Sequence, residues 1–168
     1  MGNELSNSKN PTNINFEDVQ LILQKQTNTY DDEEVYTKHP ILIHTFVDVD
    51  VKEHDDGEFE QQQQRPIIKG TLNPKTETMV INQMMDGSIS KRPIVVYGKN
   101  YSDQTIYIKA KQLVSYGFTV YIYAGGIFEW LCLQEIFDTT LFPTSNATSE
   151  ESDLLKYSVK SHFRNQSF

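Results

Sequence analysis

Residues 118–130 read Phe118-Thr119-Val120-Tyr121-Ile122-Tyr123-Ala124-Gly125-Gly126-Ile127-Phe128-Glu129-Trp130. The first six are all β-branched or aromatic, the composition of a buried strand. Two glycines then make a turn, and a strongly apolar helix is expected from Ile127 to Phe137. Upstream, a helix is predicted from about Gln104 to Tyr116, stopped by Gly117. Before it stand a polar loop, Gly98 to Asp103, and the clearest strand of the chain, Pro93-Ile94-Val95-Val96-Tyr97. Strand, loop, helix, strand, turn, helix is the grammar of parallel pairing, because parallel neighbours need a crossover between them.

The same alternation extends toward the amino end. Asn73-Pro74 starts a helix, with Asn73 as cap and Pro74 in the first helical position. Met79, Val80, Gln83 and Met84 continue it, and Asp86-Gly87 stops it. Pro66-Ile67-Ile68 is a short apolar return that ends at Gly70. Ile41 to Val47 follows Pro40 and reads as a buried strand. Asn15 caps a further helix, with Glu17 and Asp18 in its first turn and Phe16, Val19, Ile22 and Leu23 on one stripe. The fold class expected is α/β, a central, mainly parallel sheet flanked by helices. Ile94, Val95, Val96, Leu113, Phe118, Ile122 and Leu131 are the expected core, with Trp130 packed against the sheet.

Three stretches break the pattern. Residues 1–13 are Asn- and Ser-rich and read as a tail. Residues 48–60 carry acids at 48, 50, 53, 55, 56, 58 and 60 before four glutamines, a composition that cannot bury apolar surface. Residues 144–168 read as a linker and short helix through Leu154, Leu155 and Val159, with Thr148 and Glu151 at capping-box spacing. One domain is therefore expected over 14–143.

Composition narrows the function classes. The 168 residues carry 23 acids against 15 bases, a net charge of −8. An acidic chain lacks the basic face that nucleic acid requires, so no nucleic-acid partner is expected. The acidic run at 48–60 suits a partner with a basic surface. No apolar run approaches the ~20 residues of a spanning helix, and the amino end lacks the apolar stretch of a secretory signal, so a cytoplasmic protein is expected. One cysteine cannot form an internal disulfide. His39, His44, His54 and His162 are scattered without ligand spacing, so no metal is expected. Asp48-Val49-Asp50 opens like a calcium loop, but the sixth position is Glu53 instead of glycine and the twelfth is Phe59, which removes the turn and the bidentate acid. Met1-Gly2-Asn3-Glu4-Leu5-Ser6 fits the pattern for acylation of Gly2. No polybasic patch follows, so one acyl chain would anchor the protein weakly.

Taken together, Tyr123 to Trp130, Ile94 to Tyr97 with its loop, and Ile68-Lys69-Gly70-Thr71-Leu72-Asn73 resemble the rhodanese-like superfamily in order and spacing. The resemblance covers about residues 14–143. Gly125, Gly126, Trp130 and Gly70 fall on the structural positions of its motifs. It implies a rhodanese-like fold with the active-site loop at Gly98, Lys99, Asn100, Tyr101, Ser102 and Asp103. Family enzymes carry a cysteine there, as a persulfide held by loop N–H groups and basic side chains. Such chemistry needs a thiolate in an electropositive concavity. Here the position is Gly98, which has no side chain. Asp103 adds a negative charge, Lys99 is the one base in the loop, and His44-Thr45-Phe46 stands where the family has Asp-Val-Arg. Ser102 has no base placed near it by sequence, and Cys132 lies outside the loop in an apolar helix.

The resemblance thus implies a catalytically inactive member with no cofactor, acting as a structural or interaction subunit of an assembly. Some relatives serve in ciliary and microtubule-associated proteins, which makes a cytoskeletal or ciliary setting one home. The alternatives are a sulfurtransferase or phosphatase with displaced chemistry, or a module binding an anion or peptide through the former active-site loop.

Overall fold

The alternation resolves, in a computed structural model that describes residues 10–27, 39–46 and 65–146, into six strands and four helices among those residues. Gly2, His54, His162, the acidic run at 48–60 and the Thr148–Glu151 pair lie outside the described residues. In chain order the elements are β1 (Thr12–Ile14), α1 (Phe16–Thr27), β2 (Ile41–His44), β3 (Ile67–Ile68) and α2 (Pro74–Met85). There follow β4 (Ile94–Tyr97), α3 (Thr105–Ser115), β5 (Val120–Tyr123), α4 (Gly126–Ile136) and β6 (Thr144–Ser145).

Local chemistry explains the helix starts. The Asp18 N–H donates to Asn15 Oδ1 at 3.0 Å, and the Asn15 N–H donates back to Asp18 Oδ2 at 3.1 Å. This reciprocal pair satisfies two of the backbone donors that a helix leaves open. Asn73 Oδ1 accepts the Thr76 N–H at 2.9 Å, and Pro74, which has no N–H to satisfy, opens α2.

The main sheet is parallel throughout, in the order β1-β5-β4-β2. Beyond β2, Thr71 bridges to Leu42, and the Leu72 N–H donates to Leu42 O at 2.9 Å. The α/β class and parallel sheet expected from the alternation are therefore observed. Side chains alternate between faces, as a period of two requires. Leu42, Val95, Tyr97 and Tyr123 face one side, with Val19 of α1 and Ile127, Trp130 and Leu131 of α4. Ile41, Ile43, Ile94, Val96, Val120 and Ile122 face the other, with Met84 of α2 and Ile106, Ala110 and Leu113 of α3. Each residue expected in the core is buried. Trp130 is fully enclosed, edge-on to Tyr123 at 6.2 Å and to Phe142 at 5.0 Å.

Two boundaries move. Thr12 and Asn13 belong to an edge strand paired with Tyr121 and Ile122, so the stretch expected to be an amino-terminal tail contributes to the sheet. Thr144 and Ser145 pair antiparallel with Ile68 and Ile67, so the carboxyl-terminal linker begins later than 144. Side chains strap this last segment down: Trp130 Nε1 donates to Pro143 O at 3.2 Å and Gln134 Nε2 to Phe142 O at 2.6 Å. Helix α4 begins at Gly126, so the second glycine of the expected turn is already helical.

Candidate functional site

All four side chains of β4 are buried, and the chain leaves the sheet at Gly98. From β4 it crosses to β5 on one side. The bridge at Thr71 lies on the opposite side of β2. The crevice between the carboxyl ends of β2 and β4 is thus the point where the strand order diverges, the place where open α/β sheets bind ligands. An open concavity of about 500 Å³ lies there. Thr45 and Phe46 line it from the end of β2, and Lys99, Asn100, Ser102, Asp103, Gln104 and Thr105 from the loop and start of α3. Arg65 lines it as well, a second base that comes from outside the loop and that sequence order gives no reason to place there.

The loop is organised by its own polar groups. Asp103 Oδ2 accepts the Lys99 N–H at 3.0 Å. Asp103 Oδ1 accepts the Thr105 N–H at 3.1 Å and the Thr105 hydroxyl at 2.6 Å. That hydroxyl also meets Thr45 Oγ1 at 2.7 Å, joining the loop to the end of β2. Asn100 Oδ1 accepts the Ser102 N–H at 3.1 Å and hydroxyl at 2.8 Å. Partial burial pushes the Asp103 carboxyl up. The hydrogen bonds from Thr105 and Lys99, with the Lys99 charge, outweigh it and hold the group below the usual carboxylate range.

A side chain at 98 would crowd its neighbours as they stand. A Cβ on Gly98 would sit 2.8 Å from Ile106 Cγ1 and 3.0 Å from Asp103 Cγ, and nearer still to Asp103 Oδ2. The carboxylate fills the space that a side chain at 98 would take. The double glycine has a related reason. Ile127 and Phe128 donate their N–H groups to Gly98 O at 3.0 Å and Lys99 O at 2.9 Å, so the first turn of α4 lies directly on the loop backbone. Gly126 has a φ of 65°, and a Cβ there would drive into the Gly98 carbonyl. Gly70, with a φ of 83°, makes the turn that carries the chain from β3 to the sheet edge at Thr71.

The remaining candidates divide between the concavity and places away from it. Tyr101 projects to solvent at the loop tip, 78% exposed. Ser102 lies in the concavity, but its hydroxyl donates to Asn100 and no histidine is among the lining residues. Cys132 lies on α4 and does not line the concavity. Burial, and then the charges of Glu129 and Glu135, push its thiol up, away from the thiolate that a nucleophile needs. His44 stacks on Phe46 at 4.1 Å and does not line the concavity. Burial pushes the Tyr97 phenol well above its usual value; its oxygen accepts the Ile68 N–H at 3.1 Å and pairs with Thr71 Oγ1 at 2.7 Å. Tyr97 thereby ties β4 to the segment carrying Gly70, a bond that spacing alone does not suggest. No helix among the described residues is long and apolar enough to cross a membrane.

No family model matches the chain, and no curated protein matches it. Among solved structures it is similar to a full-length protein from Lactobacillus plantarum, at 20% identity over 72% of this chain and 82% of that one, with a TM-score of 0.42.

Proposed function

We propose that the chain is a catalytically inactive rhodanese-like protein that works as a structural or interaction subunit of a larger assembly. One observation carries the reading: at the position that would bear the nucleophile stands Gly98, and the Asp103 carboxylate occupies the volume in front of it. A thiolate or an anionic substrate at that point would meet a negative charge at contact distance, which disfavours both. The strand order 1-5-4-2 with Thr71 outside β2 supports the lineage, since it fits a rhodanese-like layout with the loop at its expected place. Loss of the nucleophile with retention of the glycine framework suits a fold kept for its surfaces. The net charge of −8 supports a partner with a basic face. The setting we propose is cytoplasmic, on a cytoskeletal or ciliary assembly, and it derives from the family resemblance.

The test has two arms. The purified full chain is expected to show no thiosulfate:cyanide sulfurtransferase and no phosphatase turnover above a heat-denatured control. Affinity purification of the tagged protein from its own cells is expected to recover a stoichiometric protein partner. Turnover that disappears with Cys132→Ser or Ser102→Ala would replace this reading with displaced catalysis.

A further inference from the structure

Ile136, Phe137 and Leu141 stand exposed at the carboxyl end of α4, at 71%, 59% and 48%. Phe137 stacks on Phe142 at 6.0 Å, and Phe142 meets Phe16 of α1 at 5.9 Å. Gln20 of α1 donates its Nε2 to Leu141 O at 2.9 Å, which brings Leu141 against the same helix. The turn between them is fixed: Asp138 Oδ1 accepts the N–H groups of Thr140 and Leu141 at 2.7 and 2.8 Å. Apolar side chains grouped on a firm framework mark a contact surface. Its rim is acidic. Glu135 and Asp138 flank it, and no lysine, arginine or histidine occurs from Gly126 to Asn146. The last turn of α4 carries no base, although the negative end of a helix dipole favours cations. The surface therefore fits an apolar stripe bordered by positive charge.

We infer that the chain's own carboxyl-terminal segment is the occupant: residues 154–164 dock as an amphipathic helix on the end of α4. Leu155, Val159 and Phe163 recur every four residues, so a helix places them on one stripe. Lys156, Lys160 and Arg164 recur at the same spacing one position on, so bases line one border of that stripe. A helix of this length is marginal alone and needs a surface to cover its apolar face. The reach suffices. Asn146 lies at most about 14 Å of chain from Phe142, which touches Phe137, and residues 147–153 extend over about 23 Å. Lys156 and Lys160 then meet Glu135 and Asp138 across the apolar contact. This docking is internal to one chain and stands apart from any assembly the protein joins.

The test uses the full chain with Cys132→Ser and Ser161→Cys, carrying a nitroxide at position 161, opposite the stripe on a helix. Paramagnetic broadening is read at the backbone amides of Ile136, Phe137 and Leu141. In one sample the nitroxide and the isotope label share a chain, diluted in excess unlabelled chain. In a second sample they are on different chains. Further variants add Ile136→Asp, Val159→Asp, or Lys156→Glu with Lys160→Glu. Ile136 is so exposed that its replacement leaves the core intact. Amide hydrogen exchange over residues 155–163 is measured on the natural chain, with no label, and on Ile136→Asp.

Broadening at the three amides is expected when nitroxide and isotope share a chain, and none when they are on different chains. Either aspartate substitution is expected to abolish it, and the two glutamates to weaken it. In the natural chain the amides of 155–163 are expected to be protected from exchange, and Ile136→Asp to release them. Absence of broadening at the three amides overturns the inference. So does broadening that survives both aspartate substitutions, or broadening that passes only between chains, which would give the patch to a second copy. If the labelled protein fails to fold, exchange decides: protection that Ile136→Asp removes supports the docking, and unprotected amides or protection indifferent to Ile136→Asp end it. Turnover and partner recovery are separate readouts, so failure here leaves the interaction reading to its own test.

Discussion

At the scale of one residue, Asp103 sets the electrostatics of the site. Its carboxyl is held below the usual carboxylate range, so the folded state binds its proton less readily than the unfolded chain does. The stability this gives is fully present above the unfolded value, about pH 3.9. It is lost as pH falls through the lower folded value. The groups facing the carboxylate are Lys99 and the hydroxyl of Thr105, and the threonine does not titrate in this range. Asp103→Asn is therefore expected to melt below the native protein at pH 7, and the gap is expected to narrow as the pH is taken below 4. Thermal melts of both proteins at pH 7 and pH 3 measure it. A gap that is the same at both pH values would show that the side chain acts as a neutral cap only. The absence of a nucleophile at Gly98 is legible in the sequence. That Asp103 fills the space is not, because the direction of its side chain depends on how the loop closes over α4. The spacing Asp103-Gln104-Thr105 does signal a side chain turning back onto the backbone two residues on.

Among the elements, the contrast between β4 and β1 shows which strands a sequence reveals. Ile94 to Tyr97 is a continuous apolar run, and all four residues are buried between two layers of helices. Ile41 to His44 and Val120 to Tyr123 announce themselves in the same way. Thr12-Asn13-Ile14 is mostly polar and exposed, and its strand state is imposed by pairing with Tyr121 to Tyr123. Thr144 and Ser145 are strand for the same reason, held by Ile67 and Ile68. Both were hidden because pairing partners more than 70 residues away decide them, and local propensity gives way. The helix starts at Asn15 and Asn73 were visible because capping is local chemistry. The edge strand has a measurable consequence. A chain starting at Asn15 is expected to be less stable than one starting at Asn10, since it loses the ladder to β5 and the packing of Ile14. The loss is about 1–2 kcal/mol, or roughly 4 °C or more in melting midpoint for a domain of this size. Equal midpoints for the two truncations would mean that β1 contributes nothing to the sheet.

For the molecule as a whole, the question is whether its architecture or a few of its side chains decide what chemistry the concavity can support. The topology places a concavity at the divergence of β2 and β4, lines it with Lys99 and Arg65, and seats the loop backbone on the first turn of α4. Two local features bear on thiol chemistry there: residue 98 has no side chain, and the Asp103 carboxylate occupies the space in front of it. Gly98→Cys alone is therefore expected to fail for two reasons. The new Cβ would collide with Asp103 and with Ile106, and the carboxylate would raise the pKa of any thiol beside it. Asp103→Arg alone removes the carboxylate but supplies no sulfur. The double change Gly98→Cys with Asp103→Arg removes the carboxylate, adds a cation and supplies a thiol, while leaving a 2.8 Å contact with Ile106 Cγ1 that the Ile106 side chain must relieve by moving. Thiosulfate:cyanide assays on the two single variants and the double variant decide the matter. Turnover confined to the double variant would support the proposed lineage and assign the missing chemistry to residues 98 and 103. Turnover by Gly98→Cys alone would show that Asp103 does not guard the site. A folded double variant with no turnover would turn attention to other lining residues, first Thr45 and Phe46 at the end of β2.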